Sequence, residues 1–411
     1  MIMTSKPKVF ISAYACEPGL GSEIGVGWHW VLEMSRHFEL WVLTRKSNQH
    51  TIEPWVAEHP EYAGIHFIYF DLPQWAKWWK RGLSGVRTYY VLWQWFANGL
   101  VRRTMKENGI ELFHHLTYGN ALWPVSRWGQ QQQFVWGPIG GAETIPQDYS
   151  RHYGRKSRLI EWARRLAVGA MCWNLGFRRR CRRAALILCK TEDMRAAIPA
   201  AYRDKAILFT DVAVEEQPAV ETATAFNDKV EYLAVGRLDA WRGFDVMLEA
   251  FAAAVRRNPQ LHLTLLGQGG DGARLKDIIS REGLADAVSM PGKVDMAEYR
   301  RRMAACDVVV NSSLREGAVT VSFDSMAAGK PLLCVDTGGF TRYFSEKYAI
   351  VLPRGKRAEL VEQMTAAMLQ LADAATRERM GRAALAAGSR FTWATKGQEI
   401  ADAFNNLIKN A

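Results

Sequence analysis

Two acidic side chains lie on a stretch that the sequence predicts to be a strand, a turn and a helix. Glu316 follows the apolar run CDVVVN, which suits a buried parallel strand, and Asp324 comes eight residues later. The predicted helix starts near Gly317 and ends at Gly-Lys-Pro, before the strand PLLCVD. In parallel α/β sheets, ligands bind beyond the carboxyl ends of the strands, where helix N-termini point at them. Two carboxylates at this place predict a site that holds sugar hydroxyls.

Two arginines flank another predicted strand-to-helix loop, GRLDAWRGF. Arg237 and Arg242 are five residues apart in this loop. Guanidinium groups match phosphate oxygens with two parallel hydrogen bonds, so the pair and a helix N-terminus would clamp a diphosphate. A lone arginine on a loop is usually only solvated, whereas these two are predicted to lie in line with Glu316 on a neighbouring strand.

The first half of the chain carries a third group of candidates. The strand KVFIS leads into ACEPGLGSEIGVGWHW, a glycine-rich turn and a helix that would present backbone N–H groups to a phosphate. The alternative is a tight turn without a ligand, and the glycines do not fit a dinucleotide fingerprint. Another strand is predicted to end at His114 and His115, of which one is expected to contact a ligand unless both are structural.

These candidates belong to two successive series of alternating strands and helices. The chain has 411 residues, 48% of them apolar, which is enough for two domains with separate cores. We predict an N-terminal α/β domain (1–212), a polar linker (213–228), a C-terminal α/β domain (229–390) and a last helix (391–411) that packs back on the first domain. The expected fold class is α/β, with two Rossmann-like doubly wound domains facing across a cleft.

Positive charge is concentrated in one segment. The net charge is +11, and residues 151–183 contain about ten more basic than acidic residues. Apolar residues interleave there at helical spacing, so the segment could lie on anionic lipid, the alternative being a solvated basic helix. Residues 74–96 mix tryptophan and tyrosine with lysine and arginine, which favours a membrane interface, a sugar-stacking or nucleic-acid surface, or a helix packed on the sheet.

Cysteine use and hydropathy indicate the compartment. No apolar run approaches the length of a membrane span, and the apolar run near the N-terminus is too short for a signal, which favours a first β-strand. The six cysteines form no CxxC pair and have no histidine cluster near them. We therefore expect reduced cysteines, a cytosolic protein and no structural zinc.

Several of these motifs together resemble a known family. GRLDAWRGFDVMLEAF, LLGQGGDGARL, SSLREGAVTVSFDSMAAGKPLL and DTGG are similar to the C-terminal half of retaining GT-B glycosyltransferases of family four. YACEPGLGSEIGVGWHW and VWGPIGG resemble a bacterial branch of that family that builds surface polysaccharides. The resemblance covers most of the chain, least clearly residues 74–109 and 147–180.

The resemblance implies roles for residues of the second half. Glu316 matches the first acid of the family's E-x7-E motif, which holds the donor sugar, and Asp324 matches the second, which holds the ribose. Asp324 is one methylene shorter than the usual glutamate. Arg242 stands where the family usually has lysine, and Arg237 would share the diphosphate. Gly317 follows Glu316 where the family has Glu-Gly-Phe-Gly.

The remaining implied contacts to the donor are divided between the two halves. Gly267 and Gln268, in LLGQGG, are implied to bind the donor. His115, or else His114, corresponds to the histidine that approaches the sugar from the first domain. Gly21 and Ser22 match the first glycine loop, near the diphosphate or the acceptor.

The implied reaction is transfer of a hexose from a nucleotide diphosphate sugar, with retention, to a glycan or lipid-linked acceptor in exopolysaccharide or lipopolysaccharide biosynthesis. The donor is a UDP- or GDP-sugar, and neither a metal nor another cofactor is expected. The protein would be cytoplasmic and peripheral on the inner face of an anionic membrane, with no nucleic-acid partner. The alternatives are a non-catalytic module (a basic nucleic-acid binder or a GT-B scaffold on the membrane), a GT-B epimerase or phosphorylase, and a Rossmann oxidoreductase. The oxidoreductase would need GxGxxG and an acid about twenty residues on, which the sequence lacks.

Overall fold

The computed structural model describes residues 6–80, 85–126, 132–214, 229–317 and 319–409. Strands and helices alternate along this part of the chain, as the sequence predicts. The strands are β1 (Lys8–Ser12), β2 (Glu39–Arg45), β3 (His66–Phe70), β4 (Leu112–His115), β5 (Gln133–Ile139), β6 (Leu186–Cys189), β7 (Ala206–Leu208), β8 (Val230–Val235), β9 (Leu261–Leu266), β10 (Val288–Gly292), β11 (Val308–Asn311), β12 (Leu332–Val335) and β13 (Ala349–Leu352).

The helices lie mostly between successive strands. They are α1 (Ser22–Ser35), α2 (Gln49–Glu58), α3 (Gln74–Lys77), α4 (Val86–Phe96), α5 (Asn98–Glu107), α6 (Gln147–Ser150), α7 (Arg155–Gly169), α8 (Leu175–Arg183), α9 (Glu192–Ala197), α10 (Phe244–Arg257), α11 (Gly272–Arg281), α12 (Met296–Ala305), α13 (Thr320–Ala327), α14 (Arg357–Leu371), α15 (Ala374–Gly388) and α16 (Trp393–Lys409).

The chain divides into two compact units, and neither is continuous in sequence. Unit 1 comprises Met1–Ala142, Ala170–Asp211 and Trp393–Ala411, and unit 2 comprises Glu143–Gly169 and Val212–Thr392. Residues 143–169, which the sequence assigned to the first domain, are therefore grouped with the second. The predicted linker, 213–228, lies outside the described residues from residue 215 onward.

Unit 1 is built on a seven-stranded sheet in the order β3-β2-β1-β4-β5-β6-β7. Every pairing between these strands is parallel. Helix α16 packs on α1, and its Phe404 ring lies 5.8 Å from that of Phe38. Phe404 is fully buried, so this last helix completes the hydrophobic core of unit 1.

Unit 2 is built on a six-stranded parallel sheet in the order β10-β9-β8-β11-β12-β13. Its core includes three residues from the 143–169 segment: Ile145, Tyr149 and Tyr153. The hydroxyl of Tyr149 donates to the carbonyl of Gly355 over 2.8 Å, which ties this segment to the loop after β13. In each unit the strand order reverses beside the first strand, which is the Rossmann-like, doubly wound arrangement expected from the sequence.

Candidate functional site

The candidate residues of the second half converge where the strand order of unit 2 reverses. Strands β8 and β11 are neighbours there, and both run in the same direction. The loop after β8 carries Arg242, and the loop after β11 carries Glu316. A crevice between two such loops is where open α/β sheets bind ligands.

A close backbone approach fixes the two loops against each other. Gly243 has a φ of +65°, and a Cβ atom at this position would lie 2.3 Å from the carbonyl oxygen of Ser312. The hydroxyl of Ser312 donates to the carbonyl of Arg242 over 2.9 Å, and the amide of Leu314 donates to the carbonyl of Trp241 over 3.1 Å. Glycine is required here both by conformation and by space.

Arg242 and Glu316 form an ion pair in this crevice. Nη1 of Arg242 lies 2.6 Å from Oε2 of Glu316 and also donates to the hydroxyl of Ser313 over 3.2 Å. Both charged side chains are largely shielded from water, with 17% and 15% of their surface exposed. The structure thus confirms the predicted proximity of the arginine loop and the acidic loop. An anionic ligand would compete with Glu316 for the guanidinium and free the carboxylate to accept hydroxyl hydrogens.

The indole of Trp241 supports the guanidinium from one side. Arg242 lies over this ring at 4.6 Å, and Arg315 lies over it at 5.1 Å. Arg315 in turn forms two hydrogen bonds to Glu161 of α7, at 2.7 Å and 2.6 Å. Cation–π contacts, and an ion pair in which Nη1 of Arg315 meets both carboxylate oxygens of Glu161, restrict the rotamers of these side chains, so the crevice is pre-organised.

Arg237 is placed differently from Arg242. Its guanidinium pairs with Asp239 at 2.7 Å and is 69% exposed. Because an exposed side chain on a loop can reorient at little cost, a phosphate contact by Arg237 stays a prediction. The two guanidinium groups pair with different acids, and the clamp of two arginines on a diphosphate stays a prediction.

Gly267 and Gln268 form the loop after β9, next to the loop after β8. Gly267 has a φ of +140°, and a Cβ atom there would lie 1.8 Å from the carbonyl oxygen of Gly236. The carbonyl of Gln268 accepts a hydrogen bond of 3.1 Å from the amide of Leu238, while its side chain faces solvent. The loop is therefore packed tightly at Gly267 and open at Gln268.

Asp324 is buried on the second turn of α13. The hydroxyl of Tyr299, on α12, donates to its carboxylate. Burial and the adjacent carboxylate raise the pKa of Tyr299 well above its ordinary value, so the tyrosine remains a donor. Helix α13 starts at Thr320 rather than near Gly317, which leaves Gly317 in the loop before it. Contact of Asp324 with a ribose stays a prediction.

His114 and His115 point to opposite faces of the sheet of unit 1, because they are consecutive residues of β4. His114 is fully buried beside Trp30 and Phe404 and shares a 2.7 Å hydrogen bond with the carbonyl of Gly137. These contacts describe a structural histidine. Its pKa is lowered to about 4, chiefly by burial.

His115 lies on the other face, where Nε2 shares a 3.1 Å hydrogen bond with the hydroxyl of Tyr90. It is 2% exposed, and burial, His114 and Arg180 lower its pKa to about 3. At neutral pH its imidazole is therefore uncharged, and it would orient a ligand by hydrogen bonding rather than by charge. Of the two histidines, His115 is the one that remains a candidate.

Gly21 and Ser22 stand at the N-terminus of α1, where the switch point of unit 1 lies. Gly21 precedes the first turn, and Ser22 has a φ of +60°. The next residue, Glu23, accepts a 2.6 Å hydrogen bond from the amide of Tyr118, which also has a positive φ, of +57°. Burial raises the pKa of Glu23, and Lys190 opposes this rise. Two non-glycine residues in left-handed conformation beside one carboxylate are a common sign of a functional loop.

Sequence reasoning missed Ser313, Trp241, Tyr299 and the link from Arg315 to Glu161. The signal for Trp241 was its position in GRLDAWRGF, between the two arginines. Glu161 was the single acid in a strongly basic segment, which could have marked it as a paired residue. Tyr299 had no such signal, because its contact with Asp324 depends on how α12 and α13 pack.

Comparison by sequence finds similar proteins for the second unit. Residues 217–386 match the family model described as "Glycosyl transferases group 1", which covers under half of the chain. The chain is 29% identical over 183 residues to "D-inositol 3-phosphate glycosyltransferase" of Stackebrandtia nassauensis, covering 42% of this chain and 41% of that protein. It is 30% identical over 156 residues to "Mannosylfructose-phosphate synthase" of Agrobacterium fabrum, covering 36% and 34%. The match thus spans about two fifths of the length of the first curated relatives.

Solved structures are similar along nearly the whole chain. The crystal structure of Anabaena HepE in complex with UDP covers 97% of this chain and 100% of its own, with a TM-score of 0.59 and 16% identity. Sucrose-phosphate synthase from Thermosynechococcus elongatus covers 99% and 100%, with a TM-score of 0.64 and 16% identity. At these identities the likeness concerns the fold, and it supports the GT-B fold class.

Proposed function

We propose that this chain is a glycosyltransferase that moves a hexose from a nucleotide diphosphate sugar to a glycan or lipid-linked acceptor, with retention of configuration. The observation that carries the proposal is the Arg242–Glu316 ion pair at the switch point of unit 2. It lies in the region that matches the "Glycosyl transferases group 1" model. The guanidinium of Arg242 suits a diphosphate, and the carboxylate of Glu316 suits the hydroxyls of a sugar.

In the proposed reaction, Arg242 stabilises the negative charge that develops on the leaving diphosphate. The guanidinium is already oriented by Trp241 and Ser313, so little reorganisation is needed at the moment of reaction. Glu316, released from the arginine by the diphosphate, accepts hydrogen bonds from the sugar and fixes its position. Positioning of this kind lowers the barrier by removing orientational freedom beforehand.

Retention is proposed to proceed by substitution on one face of the sugar. The acceptor oxygen forms a bond to the anomeric carbon, the bond from that carbon to the diphosphate oxygen breaks, and the departing oxygen takes the acceptor's proton. Among the residues that the structure describes, no carboxylate is evident as a nucleophile for a double displacement. His115 is the candidate of unit 1 for orienting the sugar, as the resemblance implies.

Location and pathway are also part of the proposal. No helix among the described residues is long and apolar enough to cross a bilayer. Trp75, Trp78 and Trp95 of unit 1 are 69%, 80% and 67% exposed, and tryptophan at such exposure favours peripheral contact with a membrane interface. We propose a cytoplasmic enzyme on the inner face of the membrane that acts in surface-polysaccharide synthesis. Its activity is expected to persist in EDTA.

The experiment that tests the reaction starts with ligand binding. A thermal-shift screen of UDP-, GDP- and ADP-sugars should identify the donor, since a ligand at 100 times its Kd adds about 2.7 kcal/mol to the free energy of unfolding. Transfer or slow hydrolysis of that donor is then measured with the wild type, Glu316→Gln and Arg242→Ala. If both variants keep the wild-type rate with every sugar nucleotide tested, the enzyme proposal fails and a non-catalytic module is favoured.

A further inference from the structure

The outward face of helix α7 carries an apolar ridge. Leu159, Trp162 and Leu166 are spaced by three and four residues, so they lie on one side of the helix. They are 64%, 57% and 54% exposed, whereas Glu161, on the opposite side, is 6% exposed. Three large apolar side chains exposed together on one face of a helix are unfavourable in water and indicate a contact surface.

Cations surround the ridge, and no acid accompanies them on the exposed face. Arg155, Lys156 and Arg158 are exposed on the first turns of the helix. Glu161 is the one acidic residue of α7, and it is buried. The exposed face therefore combines aliphatic, indole and cationic side chains, which is the composition of a helix lying in the plane of an anionic bilayer surface.

The inner face of α7 carries its remaining charged residues, and two of them hold the helix to the segment that precedes it. Nε of Arg164 donates to the carbonyl of Glu143 over 3.0 Å, and Arg165 donates to the carbonyl of Ile145 over 2.9 Å. Two of the five basic side chains of the helix thus serve its attachment, while the ridge and its three other cations form a surface that is exposed in the described part of the chain.

The same inner face touches the candidate donor site. Glu161 holds Arg315 through two hydrogen bonds, and Arg315 shares the ring of Trp241 with Arg242. Arg315 also directly precedes Glu316 in the chain. A change in the position of α7 would therefore reach both members of the Arg242–Glu316 pair through side chains already in contact.

We propose that the outward face of α7 docks on an anionic lipid bilayer and that the Glu161–Arg315 ion pair conveys this contact to the loops of the candidate donor site. Complementary charge selects the bilayer over a neutral surface. Trp162 and the two leucines enter the interface, while the cations remain at the headgroups. The regulatory half rests on the proposed function, because the loops concerned are those that would hold the donor.

Docking is tested by co-sedimentation of the full chain with vesicles of phosphatidylcholine alone and of phosphatidylcholine with 30 mol% phosphatidylglycerol. We expect binding to the anionic vesicles that weakens with added salt. Loss of binding should be about fivefold for each cation removed from Arg155, Lys156 and Arg158 by substitution with glutamine. Leu159→Ser/Trp162→Ser/Leu166→Ser should weaken binding at least tenfold.

A matched control is available on α15, which also exposes two arginines and a leucine. The Arg379→Gln/Arg382→Gln/Leu385→Ser variant removes the same kinds of side chain from another surface, and it should bind as the wild type does. Wild-type binding that is absent, or equal for neutral and anionic vesicles, overturns the docking surface. Equal losses in the control and in the α7 variants overturn it as well.

The coupling is tested by hydrogen–deuterium exchange without any nucleotide, so its result is independent of the proposed reaction. Anionic vesicles should slow exchange at least threefold in peptides covering residues 236–244 and 311–317 of the wild type. The Glu161→Gln/Arg315→Gln variant removes both buried charges together, which keeps the site neutral and folded. This variant should bind vesicles as the wild type does, while the exchange rate of the two peptides should be the same with and without vesicles. Equal slowing in the variant, or no slowing in the wild type, overturns the coupling.

Discussion

Arg242 is oriented by three neighbours before any ligand arrives. The ring of Trp241 lies under the guanidinium, the hydroxyl of Ser313 accepts one of its hydrogens, and Glu316 balances its charge. A lysine at this position would keep the charge, but it could neither stack on the indole nor form two parallel hydrogen bonds. Arg242 therefore contributes the planar geometry of its guanidinium in addition to its positive charge.

The difference between arginine and lysine predicts how strongly substitutions of Arg242 and Glu316 lower kcat. Arg242→Ala and Glu316→Gln should each lower kcat by about 10²- to 10³-fold, as loss of one transition-state contact does. Arg242→Lys should retain more activity than Arg242→Ala. Steady-state transfer assays with the donor found by thermal shift measure these values.

Arg237→Ala tests the second arginine of the predicted clamp, which is largely exposed and pairs with Asp239 in the absence of a ligand. It should change kcat less than tenfold. A loss as large as that of Arg242→Ala would mean that Arg237 moves into the site when the donor binds.

The burial of His114 and His115 makes the free energy of unfolding depend on pH. The pKa values of His114 and His115 are lowered to about 4 and about 3, so between these values and about 6.5 the unfolded chain binds protons that the folded protein does not. The free energy of unfolding should therefore fall as the pH decreases from 6.5 to 4, by about 1.4 kcal/mol per pH unit for each histidine. Urea unfolding at pH 7, 6, 5 and 4.5 measures the slope.

His114→Gln keeps a donor for the carbonyl of Gly137 and removes one of the two titrations. Its free energy of unfolding should fall less steeply as the pH decreases, by about 1.4 kcal/mol per pH unit less than that of the wild type. A slope equal to that of the wild type would show that His114 is already protonated in the folded protein.

At the scale of elements, the loops after β8 and β9 depend on one close approach. A Cβ atom at Gly267 would lie 1.8 Å from the carbonyl oxygen of Gly236, whereas at Gly270 it would meet open space. Gly267→Ala should reduce the free energy of unfolding by about 2 to 4 kcal/mol and weaken donor binding, because the backbone must move.

Gly270→Ala should change stability by less than about 0.5 kcal/mol. Thermal unfolding of both variants, with and without the donor, compares them. Similar losses at the two positions would show that the loop relaxes freely and does not define the site.

The elements around the site could be predicted from sequence because their signals are local. Short, largely apolar runs predict the strands β8 and β11, and the loops that follow them carry Arg242 and Glu316. A single sequence does not record long-range packing. It could not place α7 on unit 2, since the basic residues of 155–169 fit either domain equally well. It predicted two histidines at the end of β4, but which face of the sheet each one meets depends on neighbours distant in sequence, such as Tyr90 and Phe404.

At the scale of the whole molecule, each unit includes a segment that is distant in sequence from the rest of it. Phe404 of α16 belongs to the core of unit 1, and Tyr153, before α7, belongs to the core of unit 2. Each unit therefore has its own sheet and core, but the residues of that core come from separate stretches of the chain. Neither predicted domain, taken as a continuous stretch, would contain a complete core.

Phe404→Ala should destabilise unit 1 by about 3 to 5 kcal/mol, because a fully buried aromatic ring is replaced by a cavity. Hydrogen exchange should accelerate in the strands of unit 1 and remain near wild type in those of unit 2. Asn406→Ala, at an exposed position of the same helix, is the control and should leave both unchanged. Equal acceleration in both units would show that they unfold together.

The grouping of α16 with unit 1 has a consequence during synthesis on the ribosome. Unit 1 lacks a complete α16 until about 200 more residues have been translated after Asp211. At roughly 5 to 20 residues per second, the nascent unit waits about 10 to 40 s with the α16-binding surface of its core uncovered. Chaperones that recognise exposed aliphatic and aromatic surface would meet the nascent chain in that interval, whereas unit 2 could complete its own core before translation ends.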